Sequence, residues 1–226
     1  MGTVRKRYEC EPIVGVNYPG GIRPPELYAY PTPPRPIQLL FIGWNPPRPF
    51  GGFWSSETEG NLRSDIHEIL TKLDLIQAQQ PDGIFLDEFL SKGYFFLHAV
   101  KCWAQAKYPG FGRKANGYER KQLGIPLLHA CADTHLKIEL EKYSPEKVCT
   151  LGELPYLALC HTLKESALSP TLASPTEGRV FEAGAFRLNW PLLYTCFPQS
   201  QSLLVRGKDE RVRAKDLVRR HLKGFL

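Results

Sequence analysis

The sequence reads Ile37-Gln38-Leu39-Leu40-Phe41-Ile42-Gly43-Trp44-Asn45-Pro46-Pro47 at the point that decides the fold. Its first half is a short apolar run, which Gly43 and the Pro46-Pro47 pair stop abruptly. Such a run, bounded by turn residues, is typical of a strand buried at the centre of a sheet. The segment therefore predicts a central strand followed by a sharp turn.

Three further apolar runs resemble the first, and helical patterns separate them. The runs cover residues 94–100, 147–151 and 192–196. Apolar residues recur at helical spacing in 62–76, 153–165 and 214–225, and residues 120–142 are expected to form one helix or two helices joined at Pro126. Strands that alternate with helices form a mostly parallel sheet covered on both faces. We therefore expect an α/β protein with three layers, α/β/α, and a central, mostly parallel four-stranded sheet. Residues 179–188 are expected to form a hairpin-like insertion.

Composition favours one globular domain. No linker interrupts the 226 residues, so we expect a single domain over 1–226, with the eight prolines of residues 1–36 forming an irregular arm packed on it. No apolar run approaches a membrane span, and no apolar signal core follows the basic N-terminus. We expect a cytoplasmic monomer with no membrane partner.

Positive charge is concentrated near the C-terminus. Between residues 205 and 226, eight Lys/Arg stand against three Asp/Glu, a local charge of +5 within a total of +6. Such a segment suits contact with phosphates, and a solvated helix face is an equally common explanation.

Ligands of parallel sheets bind beyond the carboxyl ends of the strands. Three segments of this sequence follow such ends, namely residues 43–54, 98–103 and 197–206. We expect them to converge on one site.

The first segment resembles a motif of the uracil-DNA glycosylase superfamily. Its Gly-x-Asn-Pro, residues 43–46, matches the turn after the first core strand of that family, although such a tetrapeptide also describes an ordinary turn. Later segments match in order: 97–102 and 148–152 resemble two strands of the iron–sulfur branch, and 193–200 stands where the family has His-Pro-Ser. The resemblance covers roughly residues 37–223. It implies a uracil-DNA glycosylase-like fold and base-excision repair, by hydrolysis of the N-glycosidic bond of uracil or another damaged base in DNA.

The resemblance also implies roles for individual residues. Asn45 would be catalytic by positioning the attacking water, while an Asx-type turn bond is its alternative role. Phe53, chosen over Phe50, would stack on the flipped base, with core packing as the alternative for either ring. The residues expected to bind the base are Gly43, Trp44, Phe50, Phe53, His98 and Phe197.

Two positions depart from the family pattern. His98 stands where the family commonly has an Asn that reads the edge of uracil, and an imidazole can offer both a donor and an acceptor only in one fixed tautomer. Phe197 replaces a His that would stabilise charge on the departing base. We expect an enzyme, a DNA glycosylase, and keep as alternative a catalytically degenerate member that binds nucleic acid. A small-molecule enzyme or a nucleotide-binding module is a third hypothesis, for which the sequence shows no glycine-rich phosphate loop or acidic metal pair.

A polar loop with an apolar tip follows Phe197. Its polar side chains would contact phosphates and Leu203 or Leu204 would fill the gap left by the flipped base, unless the loop only leads into the last helix. The expected DNA-binding residues are Gln199, Ser200, Ser202, Leu203 and Arg206.

Cysteines near the family positions are too few for an iron–sulfur cluster. Only Cys10, Cys102 and Cys131 fall near positions where the iron–sulfur branch has its four ligands, so we expect no cluster and no other cofactor. The remaining histidines show no ligand-like spacing, and no metal is assigned.

Overall fold

The computed structural model describes residues 22–23, 30–44, 53–54, 61–77, 82–101, 103–104, 128–164, 177–185, 188–198, 203–204 and 211–226. In chain order its elements are β1 (Ile22–Arg23), β2 (Leu39–Gly43), α1 (Asn61–Thr71), α2 (Asp82–Ser91), β3 (Tyr94–His98), β4 (Trp103–Ala104), a π-helical turn (Ala132–Leu136), α3 (Lys137–Tyr143), β5 (Val148–Leu151), α4 (Glu153–Leu163), β6 (Arg179–Phe181), β7 (Leu192–Thr195), β8 (Leu203–Leu204), β9 (Arg211–Val212) and α5 (Ala214–Phe225).

The central sheet has five strands in the order β3-β2-β5-β7-β6. β2 pairs in parallel with β3 and β5, and β5 pairs in parallel with β7. Every residue of these four strands is buried, which explains why their sequences are apolar on both faces. The carboxyl ends of all four therefore lie along the same edge of the sheet.

Helices cover both faces of the sheet, which gives the expected three layers. Successive residues of β2 alternate between two apolar clusters, with Leu40 and Ile42 in one and Leu39 and Phe41 in the other. The first cluster joins the sheet to the π-helical turn, α3 and α4. The second joins it to α1, α2 and α5.

The expectation of four strands was wrong by one, and the hairpin-like insertion explains the difference. β6 pairs antiparallel with β7, Val180 opposite Leu193, and so becomes the fifth strand of the sheet. This pairing gives the outer edge of β7 backbone partners, which a hairpin within 179–188 would have left open. Phe181 is buried while Arg179 and Val180 are exposed, as suits a strand at the sheet edge.

The helices differ from the sequence patterns in extent. α1 ends at Thr71, before Leu73 and Ile76, and α2 was not predicted. The helix expected over 120–142 is described only from residue 128, and a π-helical turn interrupts it. The apolar seam of α5 is buried as predicted. Among the helices described, none combines the length and the apolar character needed to cross a membrane.

Candidate functional site

The first turn leaves the sheet beside the end of β3. Gly43, the last residue of β2, is paired with His98, the last residue of β3. Beyond that pair the Ala99 N–H donates to the Gly43 carbonyl at 2.8 Å, and the Val100 N–H donates to the Trp44 carbonyl at 2.8 Å. These bonds hold the start of the Gly-x-Asn-Pro turn against the segment that follows His98.

The Phe197 segment is held in the same way against the end of β5. The Gly152 N–H donates to the Thr195 carbonyl at 2.8 Å. Gly152 has a φ of +94°, and a Cβ there would lie 3.3 Å from the Cβ of Phe197. A glycine is therefore needed for both its conformation and its close approach to Phe197. Phe197 itself is partly buried against the apolar layer of α1, α2 and α5.

Gly43 is needed for a different reason, because an aromatic ring lies against it. A Cβ at Gly43 would lie 2.5 Å from Cζ of Phe96. Phe53 stacks on the Phe96 ring, with 4.3 Å between centroids and 10° between planes. Phe53 is only 3% exposed and belongs to the core cluster, so stacking on a base would require its ring to leave this position.

Residues 53 and 54 are fixed from two directions. The buried Arg63 of α1 donates from Nη1 to the Phe53 carbonyl at 3.2 Å. The Trp54 indole donates to the Phe96 carbonyl at 3.0 Å. Trp44, by contrast, is partly buried against the cluster on the α3 and α4 side.

His98 is enclosed at the end of β3, with 3% of its surface exposed. Its Nδ1 lies 2.7 Å from the hydroxyl of Tyr30. Its ring meets the Phe96 ring edge to face, with centroids 4.9 Å apart. Within the described part of the chain, its other nitrogen, Nε2, has no hydrogen-bond partner.

A buried ion pair lies next to this histidine. Lys101 Nζ is 2.5 Å from Glu139 Oε2, and both side chains are 0% exposed. The same ammonium lies 5.3 Å from the centroid of the Tyr30 ring. Glu139 belongs to α3, so the pair connects the end of β3 to the helix layer.

These surroundings keep His98 neutral. Burial of the ring, followed by the nearby Lys101 ammonium, lowers the pKa of His98 to about 3. In α3, burial and then the Glu139 carboxylate raise the pKa of Tyr143 to about 12. Both groups are therefore uncharged at neutral pH.

Sequence reasoning missed three members of this arrangement. Tyr30 lies in the Pro-rich arm, where no pattern marks it. Lys101 interrupts the apolar residues around the end of β3, and Glu139 is buried between apolar positions of α3. Two charged residues at otherwise apolar positions are the signal that would have paired them.

Part of the basic charge of α5 is neutralised within the protein. Lys215 pairs with Glu68 of α1 and lies 4.0 Å from Asp65. Hydrogen bonds from Lys215, then from Lys72, hold the pKa of Glu68 below its ordinary value. Three cations are exposed: Arg213, just before the helix, and Arg220 and Lys223 within it.

Several predicted site residues lie outside the described residues: Asn45, Phe50, Gln199, Ser200, Ser202 and Arg206. Leu203 is described in β8, which pairs antiparallel with β9 and places it opposite Val212. The residue expected to fill the gap left by a flipped base is therefore connected to the start of α5 through a two-stranded ladder.

Cys131 is buried, and the other two candidate cysteines, Cys10 and Cys102, lie outside the described residues. Among the side chains that are described, no three His, Cys, Asp or Glu are grouped so as to hold a metal ion.

Comparison with known proteins adds no family assignment. No protein-family model matches the sequence, and no curated protein is significantly similar to it.

Proposed function

We propose that the protein is a DNA glycosylase that hydrolyses the N-glycosidic bond of uracil or another damaged base. The observation that carries the proposal is the pairing of Gly43 with His98 at the carboxyl edge of the sheet. It brings Gly43 and Trp44, which begin the Gly-x-Asn-Pro sequence, beside a buried, neutral histidine whose Nε2 has no partner among the described residues. A flipped base bound at this edge would meet the His98 imidazole, a fixed polar group among largely apolar side chains.

The reaction sets the requirements for such a site. Water adds to the sugar C1′ while the bond to the base breaks, and the base leaves with the bonding electrons and takes up a proton. Donors fixed around the base stabilise the charge that develops on it. His98 would supply one donor, backbone N–H groups of the first turn would supply others, and Asn45 would orient the water. Phe197 offers no donor, so we expect a slow enzyme.

DNA would contact the protein on the side of α5. Arg213, Arg220 and Lys223 are exposed and make no ion pair within the described residues. Cations in this position suit contact with the phosphate backbone.

Oligonucleotides that carry one modified base, treated with alkali after incubation with the protein, test the proposal. Uracil or another lesion should be released, and Asn45→Ala should abolish release. Asn189→Ala is the matched control, because Asn189 is exposed and precedes the amino end of β7, at the opposite edge of the sheet. If the oligonucleotides stayed intact after alkali for every lesion, the proposed glycosylase activity would be refuted.

A second candidate function is nucleic-acid binding without cleavage, by a member of the same superfamily. It is supported by Phe197, whose ring offers no hydrogen-bond donor to the departing base. Such a protein would show affinity that falls steeply with salt, no base release, and unaltered binding after Asn45→Ala.

A further inference from the structure

α5 runs along the side of the domain, from the edge of the sheet that carries the candidate site to the opposite edge. It begins at the carboxyl edge, where the thiol of Cys196, the residue after β7, donates to the Ala214 carbonyl at 3.4 Å. It ends at the amino edge, where Nζ of Lys147, the residue before β5, donates to the carbonyls of Phe225 at 3.1 Å and Leu226 at 2.9 Å. The helix therefore leads away from the site.

The exposed cations of α5 form one stripe along this path. Arg220 follows Arg213 by seven residues, about 20° short of two full turns, and Lys223 lies about 60° further round in the same sense. At the helical rise per residue, the three cations span about 15 Å. Asp216, the acidic residue of the helix, is paired with Arg219 at 3.4 Å. The α5 stripe, defined by Arg213, Arg220 and Lys223, is therefore positive over its whole length.

Gly224 leaves the helix backbone open beside the stripe. It is exposed, lies four residues after Arg220 and so on the same side of the helix, and a Cβ there would meet nothing within 4 Å. Glycine is unfavourable inside a helix, and neither a left-handed conformation nor a close contact among the described residues requires it at this position. The absence of a side chain allows the backbone of a bound molecule to approach closely.

A straight duplex cannot contact both the site and the whole stripe. Duplex DNA is stiff over about 150 base pairs, so a duplex that lies across the carboxyl edge does not also turn along α5. It would contact Arg213 but not Lys223, which lies about 15 Å farther along the helix. A single strand bends freely, and about three of its nucleotides would cover the stripe. A base in a single strand also needs no extrusion from a base pair.

We infer that the α5 stripe binds the sugar-phosphate backbone of single-stranded DNA, so that the strand on one side of the modified nucleotide leaves the carboxyl edge and follows α5. This inference rests on the proposed function and names its substrate class, which is single-stranded in preference to double-stranded DNA. The phosphates pair with the cations of the stripe. Binding along α5 is then independent of the flanking sequence, because phosphate contacts carry no information about the bases.

Fluorescence anisotropy with one unmodified oligonucleotide, as a single strand and as a duplex, tests the inference on the whole chain. Wild type should bind the single strand roughly tenfold or more tighter than the duplex. Arg220→Gln/Lys223→Gln should lower the slope of log affinity against log salt concentration by about 1.4 for the single strand, because each phosphate contact contributes about 0.7. Binding of the duplex should change little, since these two cations lie beyond its reach.

Lys137→Gln/Lys142→Gln is the matched control. It removes the same charge from exposed positions of α3, which lies on the opposite face of the sheet. This variant should keep the wild-type preference and the wild-type slope. Equal binding of single strand and duplex by wild type, an unchanged slope in the α5 variant, or an equal loss in the α3 variant would overturn the inference. Base release does not enter these measurements, so its absence would refute the glycosylase alone.

Discussion

Replacing His98 by Asn should flatten the acid dependence of stability, because His98 resists protonation in the folded protein. Its pKa of about 3 lies below the ordinary value of 6.5 that it regains on unfolding. Between these values the unfolded chain binds a proton that the folded chain does not, so stability is full above pH 6.5 and falls as the pH drops. The loss approaches about 1.4 kcal/mol per pH unit, and integration from pH 7 to pH 5 gives about 2 kcal/mol.

Urea unfolding at pH 7, 6 and 5, followed by tryptophan fluorescence, measures the effect. The quantity to compare is the fall in the free energy of unfolding from pH 7 to pH 5, which should be about 2 kcal/mol larger in wild type than in His98→Asn. Other titrating groups contribute equally to both proteins and cancel in this difference. Identical falls in the two proteins would show that His98 is not held neutral by its surroundings.

Three further substitutions test the packing of the site by urea unfolding. Glu139→Gln should cost about 3–5 kcal/mol, because it leaves the buried Lys101 ammonium without its carboxylate, and Lys101→Met/Glu139→Leu should cost less; a milder single variant would contradict this. Gly43→Ala should cost about 1–3 kcal/mol, because its Cβ would lie 2.5 Å from the Phe96 ring, and wild-type stability would refute that contact. Phe53→Ala should cost about 3–5 kcal/mol if its ring belongs to the core, and a loss of activity without a loss of stability would assign it to the base instead.

The sheet was predictable because its central strands are buried on both faces. Runs such as residues 94–98 leave no polar side for water, and only a strand between two helix layers satisfies that pattern. The apolar seam of α5 was equally clear, since its apolar and charged residues separate cleanly by helical period.

Elements that depend on tertiary contacts were not predictable in this way. α2 carries apolar residues around its circumference, with Phe85 and Phe89 buried while Ile84 is exposed, so its periodicity is weak. β6 has three residues, and its pairing is decided by the free edge of β7. Within the site, the pairing of residues 43 and 98 follows from parallel strand order, whereas the hydroxyl of Tyr30 reaches His98 across 68 positions of sequence from an arm with no regular pattern.

The ion pair between the end of β3 and α3 also affects how the site can move. Two fully buried opposite charges can separate only if water enters between them. Because that separation has a high free-energy cost, the end of β3 and α3 should move as one rigid unit. Amide hydrogens near residues 97–100 and in α3 should therefore exchange together and slowly. We therefore expect any adjustment that admits a ligand to occur outside this unit.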